Sequence, residues 1–317
     1  MGEQHHHPKV TDSTVRIGTV RAGERRQLGI VMAVTGVTMG AELAGGYLFG
    51  SAALLGDAFH MLTHFGAVAT SWAAIAIALR PAPADKTFRN WRFEVLATLF
   101  NGITMIPLAA YVMWEAYARW LSPRPIEVVG VLAVGGAGLV ANVVSAAVLH
   151  RHAKHDMNVR GAFLHMLADS VSSVGVIAAG VLILVFQWTL ADPIIAAAIS
   201  VMILIWSVSL IRSACRILLE SAPSHLELGE IAAAIKSEPG VADVHDLHVW
   251  TITSKMYALT AHVVLADDLP VSHTEEMSRR LARVLDDRFD INHATLQFET
   301  GRGQALTCEH EETRARG

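Results

Sequence analysis

Six long apolar segments follow one another between Leu28 and Ile211, separated by short polar, glycine-rich or proline-rich breaks. Each segment has about 20 residues or more, which is enough for a helix to cross roughly 30 Å of hydrocarbon. The pattern therefore predicts six membrane-spanning helices. They cover residues 28–49, 52–79, 93–120, 126–149, 159–188 and 192–211.

After Glu220 the pattern changes to that of an ordinary soluble domain. Two amphipathic stretches have helical spacing of apolar residues, and three others alternate as strands do. The predicted order is helix 226–237, strand 241–253, strand 256–266, helix 272–288 and strand 293–299. The order αββαβ predicts a small sheet covered on one face by two helices.

The fold class is therefore an α-helical membrane protein with six transmembrane helices and a C-terminal α+β domain. Four regions are predicted: a tail over 1–27, a six-helix domain over 28–213, a cytoplasmic domain over 214–300 and a tail over 301–317.

Composition supports a membrane location and argues against some other functions. The 317 residues are 52% hydrophobic and 17% charged, whereas soluble proteins carry about 25% charged residues. The net charge of −4 gives no basic surface for nucleic acid. The two cysteines form no paired motif, which is compatible with a reducing compartment.

Lysine and arginine are distributed unevenly around the six segments. Most of them flank the ends that would share one side, and only Arg119 and Arg124 flank the other. Because positive residues collect on the cytoplasmic side, both termini are predicted to be cytoplasmic.

The sequence His-Met-Leu occurs in both the second and the fifth apolar segment, with a residue able to bind metal four positions after each histidine. Positions four apart lie one turn apart on one face of a helix. Facing each other, two such helices would supply three imidazoles and one carboxylate, which suit a tetrahedral divalent transition metal. These residues are His60, His64, His165 and Asp169.

Other polar residues also stand inside apolar segments. Glu42 is the only charged residue of the first segment, and a carboxylate in a membrane is either functional or held by helix-packing hydrogen bonds. Asp57, three residues before His60, is a candidate carboxylate that would contribute charge to the site without being one of its four ligands. Asn101 is a further polar candidate in the third segment.

These motifs resemble the cation diffusion facilitators, which are six-helix antiporters of divalent metals and protons with a cytoplasmic αββαβ domain. The similarity covers about residues 28–300. It is carried by the stretches Glu42–Gly46, Ser51–Leu62, Phe88–Leu96, Asn101-Gly102, His165–Ser170, His245–Thr251 and His293–Glu299.

The resemblance implies efflux of a divalent cation from the cytoplasm in exchange for protons, by alternating access. It also implies a homodimer in a lipid bilayer, which we expect to be the cell inner membrane, and no enzymatic activity. Zn²⁺ is the expected cargo, with Co²⁺, Ni²⁺ and Cd²⁺ as alternatives.

One transport-site position departs from the family pattern. The family usually has Asp where this chain has His64, so the site has one anionic ligand, and a bound dication leaves a charge of about +1 unless Asp57 contributes. Imidazole-rich ligation favours Zn, Co, Ni or Cu over Mn or Mg, and in the family a histidine at this place occurs in members linked to cobalt or nickel.

The resemblance also implies metal ligands in the soluble domain. His245, His262 and Glu299 match ligand positions of cytoplasmic two-metal sites, and His248 is a further candidate. Gln297 stands where some members have a ligating histidine, so the alternative is a polar sheet and dimer surface without metal.

Two rival functions fit part of the pattern. A membrane sensor or scaffold would bind metal without transporting it. A histidine-box oxidase would share the spacing of His60 and His64, but those enzymes also need an HxxHH box, which this sequence lacks.

Overall fold

A computed structural model describes residues 22–78, 86–88, 90–153, 157–253 and 256–300 of the chain. Among the described residues, six long helices come first along the chain, and a small domain with a β-sheet follows them. The helices are α1 (Ala22–Leu48), α2 (Ala52–Ala78), α3 (Phe93–Leu121), α4 (Val128–Ala153), α5 (Met157–Phe186) and α6 (Ala191–Leu218).

Helix lengths agree with the hydropathy pattern. Searched over the described residues, four helices contain a stretch long and apolar enough to cross a membrane: Phe93–Leu121, Val128–Ala147, Asp169–Phe186 and Ala191–Leu218. The helices α1 and α2 have 27 residues each, which at 1.5 Å per residue is about 40 Å. The predicted fold class, with six transmembrane helices, is confirmed.

The chain divides into two compact units. The helical unit comprises residues 1–68 and 104–207, and the mixed unit comprises residues 69–103 and 208–317. The unit boundaries therefore cut across α2, α3 and α6. The four regions expected from the sequence, with boundaries after residues 27, 213 and 300, stay a prediction.

The buried core of the helical unit combines alanines with larger apolar side chains. The helix α4 packs against both α1 and α5. The larger side chains in the core of the helical unit include Leu54, Phe59, Met105, Val131, Val176, Ile199 and Ile203. Between α1 and α2 the chain turns within three residues, and Gly50 has φ +67, a left-handed conformation that glycine adopts without strain.

The mixed unit contains the αββαβ fold predicted from the sequence. Its elements are α7 (Leu228–Lys236), β1 (Val241–Thr253), β2 (Met256–Leu265), α8 (Val271–Phe289) and β3 (His293–Thr300). In the sheet, β2 lies in the middle, antiparallel to β1 and parallel to β3. The core between sheet and helices includes Ile231, Ile235, Leu259, Val263, Leu281 and Leu285.

The first turn of α3 belongs to this mixed unit and is tied to it by polar contacts. Thr253 Oγ1 donates a hydrogen bond to Glu94 Oε2 at 2.5 Å. Arg92 forms an ion pair with Glu220 at 2.8 Å, between the start of α3 and the chain just after α6. The soluble fold is therefore held to the helix ends within its own unit.

Candidate metal sites

A histidine and an aspartate from two different helices meet inside the helical unit. His60 Nε2 of α2 lies 3.3 Å from Asp169 Oδ1 of α5, and both side chains are fully buried. The indole of Trp206 on α6 lies beside this pair, with its ring centroid 5.0 Å from that of His60. The structure thus joins half of the predicted quartet, although the two residues are 109 positions apart in the chain, from 60 to 169.

The other half of the quartet is described only by its backbone. His64 lies in α2 one turn after His60, and His165 lies in α5 one turn before Asp169. The side chains of His64 and His165 lie outside the described part of the structure. Their helix positions follow the i, i+4 pattern that the sequence predicts.

Asp57 cross-links the same two helices, next to the His60–Asp169 pair. It is fully buried, and it accepts hydrogen bonds from the hydroxyls of Ser172 and Ser173 on α5, the latter at 2.8 Å. Its carboxylate therefore holds α2 against α5. The serines were missed by sequence reasoning, because a partner on another helix leaves no local spacing signal.

The N-terminus of α2 is fixed by a carboxylate from α6. Asp192 accepts hydrogen bonds from Ser51 Oγ at 2.5 Å and from the backbone N–H groups of Ala52 and Ala53 at 2.8 and 3.2 Å. Ser51 Oγ in turn accepts from the N–H of Leu54 at 3.1 Å. These bonds satisfy donors that a helix start leaves unpaired, and they set where His60 stands.

Two further predicted residues are buried but occupy different units. Glu42 of α1 is completely buried in the helical unit, against Gly138 of α4. Asn101 of α3 is 4% exposed and belongs to the mixed unit.

Three ligand-type side chains converge on the sheet of the mixed unit. Glu299 of β3 reaches His245 Nε2 of β1 at 3.2 Å and His262 Nδ1 of β2 at 2.8 Å. One ligand atom from each of the three lies within 4.8 Å of the others, and all three residues are half-buried. Two imidazoles and one carboxylate can hold a divalent metal and leave a fourth position for water or another ligand.

His248 is not part of this cluster. Its Nε2 lies 2.9 Å from Asp246 Oδ1, and its side chain is 59% exposed. Asp246 was not predicted from the sequence, yet its other oxygen lies 3.7 Å from His262 Nε2. Of the four tentative ligands of the soluble domain, the structure brings together His245, His262 and Glu299.

The strand β1 is irregular between these two histidines. The register shifts between His245, which pairs with His262, and His248, which pairs with Thr260. Strict alternation would send residues three apart to opposite faces of a strand, and a bulge puts them on the same face. Asp246 sits inside the bulge with φ +49.

Long apolar helices and a buried imidazole–carboxylate pair define a multi-pass membrane protein that handles cations. Residues 28–219 match the model of the cation efflux transmembrane domain, and residues 223–301 match that of the cation efflux protein cytoplasmic domain. The chain belongs to the cation efflux family. It is a transporter of cations and not an enzyme, so the resemblance is confirmed and the oxidase alternative is excluded.

Similar proteins extend over nearly the whole chain. The metal cation efflux system protein CzcD of Cupriavidus metallidurans is 40% identical over 94% of this chain and 90% of its own length. The cadmium, cobalt and zinc/H(+)-K(+) antiporter of Bacillus subtilis is 34% identical, covering 84% and 88%. The zinc transporter ZitB of Escherichia coli is 36% identical, covering 86% and 87%.

One solved structure resembles the soluble domain. It is a metal-bound C-terminal domain of the CzcD transporter from Cupriavidus metallidurans, 43% identical to this chain. The match covers 23% of this chain and 99% of that chain, with a TM-score of 0.21.

Proposed function

We propose that this protein exports divalent transition-metal cations, with Zn²⁺ as the main cargo, in exchange for protons. The observation that carries the proposal is the approach of His60 to Asp169, at 3.3 Å and without solvent exposure. A nitrogen and a carboxylate oxygen at this separation, on different helices, can both ligate one small cation.

His64 and His165 complete the site in this proposal. Each stands one helical turn from a member of the observed pair, and positions four apart share one face of a helix. Three imidazoles and one carboxylate give four ligands, and they replace the water that the cation loses on binding.

The ligand types set the cargo that we propose. Imidazole-rich sites favour Zn²⁺, Co²⁺ and Ni²⁺ over Mg²⁺ and Mn²⁺. Two relatives carry zinc in their names, and one of these is also named for cadmium and cobalt. We therefore propose Zn²⁺ with Co²⁺, Ni²⁺ and Cd²⁺ as further cargo, and His64 as the residue that tunes the choice.

Proton exchange follows from the chemistry of histidine. An imidazole binds a metal only through a neutral nitrogen, so protons and metal compete for the same atoms. Metal entering from the cytoplasm would displace protons there, and protons from a more acidic outer side would displace the metal. Rocking of the helix bundle would expose the site to the two sides in turn.

The cluster of His245, His262 and Glu299 is proposed to hold a second, regulatory metal ion. Its support is the convergence of three ligand atoms within 4.8 Å. We place this domain in the cytoplasm of a homodimer in the inner membrane, with both termini cytoplasmic. Metal bound there could shift the transport equilibrium if it favours one conformation of the dimer.

Transport into proteoliposomes with an imposed pH gradient tests the proposal. Zn²⁺, Co²⁺, Ni²⁺, Cd²⁺ and Mn²⁺ are compared in parallel for the native protein and for His64→Asp. We expect flux of Zn²⁺ above Mn²⁺ in the native protein and a changed order in the variant. Identical profiles would refute a selectivity role for His64.

Asp169→Asn is the matched loss-of-function variant. We expect it to abolish flux without changing the oligomeric state in size-exclusion chromatography, because the only anionic ligand of the site is removed. Tight binding of zinc by the native protein without any flux would instead support the metal-sensor alternative.

A further inference from the structure

Glu42 is a buried carboxyl group of the helical unit, and the contacts of this unit described above give it no role. Both of its oxygens are buried, and neither has a hydrogen-bond partner among the described residues. Among the described residues of this unit, three other carboxylates are buried, and they contact serine hydroxyls, backbone N–H groups or a histidine: Asp57, Asp169 and Asp192.

The helix that faces Glu42 is shaped to receive its carboxyl group. A Cβ atom added at Gly138 of α4 would overlap Glu42 Oε1, so the carboxyl group lies directly against the α4 backbone at this glycine. One turn further along the same face of α4, Asn142 is 1% exposed, and its amide nitrogen also has no hydrogen-bond partner among the described residues. Two unpaired polar groups thus lie close to one part of the α1–α4 contact.

Two described carboxyl groups act electrostatically on Glu42, namely Asp57 of α2 and Asp169 of α5. His60 pairs with Asp169 at 3.3 Å. On α4, Gly138 lies against Glu42 and Asn142 follows one turn later, and neither residue titrates. No described cation therefore faces Glu42.

A dication at the transport site would change the charge balance around Glu42. An unpaired carboxylate is costly in a membrane interior, so the uncharged acid is favoured when the site is empty. The quartet His60, His64, His165 and Asp169 supplies one negative charge, which leaves a bound dication undercompensated. The carboxylate of Asp57 is engaged by the hydroxyls of Ser172 and Ser173. Glu42 is the buried carboxyl group without a hydrogen-bond partner among the described residues, and its ionisation would offset the remaining charge.

We propose that Glu42 exchanges a proton during transport: it is a neutral acid when the site is empty and a carboxylate when metal is bound. The O–H bond of Glu42 breaks as the cation enters, the proton leaves to the cytoplasmic water, and the electron pair stays on the carboxylate. Glu42 does not ligate the metal. The inference rests on the proposed antiport and assigns one of its protons to a residue outside the quartet.

Proton release on metal binding tests this assignment. Full-length protein in detergent is titrated with Zn²⁺ by calorimetry in two buffers that differ in ionisation enthalpy, which gives the protons released per bound ion. We expect Glu42→Gln to release about one proton fewer than the native protein. Any metal in the soluble domain contributes equally to both proteins and cancels in the difference.

Two variants serve as controls. Glu127→Gln makes the same change at an exposed carboxyl group just before α4, and it should leave the proton count unchanged. Glu42→Asp keeps a titratable group and should restore the native count. An unchanged count in Glu42→Gln, or an equal loss in Glu127→Gln, would overturn the proposal.

Infrared difference spectra test the proposal on the native protein alone, so misfolding of a variant cannot affect the result. Adding Zn²⁺ should remove a carbonyl-stretch band of a protonated carboxylic acid, and retention of all such bands would refute the proposal. Failure of the antiport is separately visible: it would appear as Zn²⁺ flux that does not respond to a pH gradient, whatever the proton count of Glu42→Gln.

Discussion

Four carboxyl groups are buried among the described residues of the helical unit, and each has a different environment. Asp192 caps a helix, Asp57 bridges two helices through serine hydroxyls, and Asp169 meets a histidine, while Glu42 lies against glycine. Because burial of an unpaired charge is costly, the partners of each carboxyl group determine its role. The first two groups accept hydrogen bonds that hold helices together, and the other two are the groups to which we assign roles in transport.

Asp57 is expected to contribute to stability more than to metal binding. Asp57→Ala removes the acceptor of two buried serine hydroxyls, Ser172 and Ser173, and should lower the free energy of unfolding by about 1–2 kcal/mol. Asp57→Asn keeps one acceptor oxygen and should lose less. Thermal unfolding of the detergent-solubilised protein measures both, and equal stability of the alanine variant and the native protein would contradict the assignment.

The sequence predicted the local part of this site and missed the part that depends on tertiary contacts. His60 and Asp169 were found because each has a ligand-type residue one turn away, which is a pattern within one helix. The serine partners of Asp57, and Asp246 beside His262, belong to contacts between separate elements. Such contacts have no fixed spacing in the sequence.

At the scale of the elements, α2 is positioned from its first turn. The cap by Asp192 comes from α6 and fixes three donors at the start of the helix that carries His60. A displaced α2 would move His60 away from Asp169, so the cap links stability to the geometry of the site.

Removal of this cap gives an element-scale prediction. Asp192→Ala should lower the free energy of unfolding by about 2 kcal/mol, because a charged acceptor and its buried donors are separated. It should also weaken Zn²⁺ binding, since His60 is no longer held in place. Asp192→Asn, which keeps one acceptor oxygen, should be affected less in both assays. Loss of stability with native zinc affinity would show that the cap does not position His60.

The link from α7 to β1 carries a pH-sensitive contact outside the membrane-spanning helices. Lys236 Nζ lies 2.5 Å from Asp243 Oδ1, and this ammonium, with the N–H of Val244, holds the pKa of the Asp243 carboxyl below its ordinary value. A lowered pKa in the folded state means that stability is present above the ordinary pKa of about 3.9 and is lost as the pH falls through the folded value.

Lys236→Met should therefore bring the titration of Asp243 closer to its ordinary pKa, as measured by NMR of the labelled carboxyl carbon. The associated change in stability should stay below about 1 kcal/mol, because the pair is exposed to solvent. Asp243→Asn is the complementary variant and should lose this part of the acid dependence. An unchanged Asp243 titration in Lys236→Met would show that Val244 alone sets the shift.

For the whole molecule, hydropathy and alternation were sufficient to predict the order of the parts. The six apolar runs and the αββαβ pattern arise from burial of one face or one segment at a time, which sequence periodicity records directly. The β1 bulge is different, because it moves His245 and His248 to one face against simple alternation. The resemblance implied His245, His262 and Glu299 as ligands and His248 was a further candidate, whereas the geometry groups the first three.

Two separate metal sites in one chain predict the number of ions that each chain binds. Equilibrium binding of Zn²⁺ to the full-length protein should give about two ions per chain, one among the transmembrane helices and one at the soluble cluster. His262→Ala should remove one of them, because His262 is the strand residue that reaches Glu299 at 2.8 Å. His248→Ala is the matched control from the same domain, and it should keep both ions, since His248 is exposed and bonded to Asp246. At free zinc of 100 times the dissociation constant, the soluble site should also stabilise the folded domain by about 2.7 kcal/mol. An equal loss of metal in the two variants would show that the ligand set is wrong, and no loss in either would show that this cluster holds no metal.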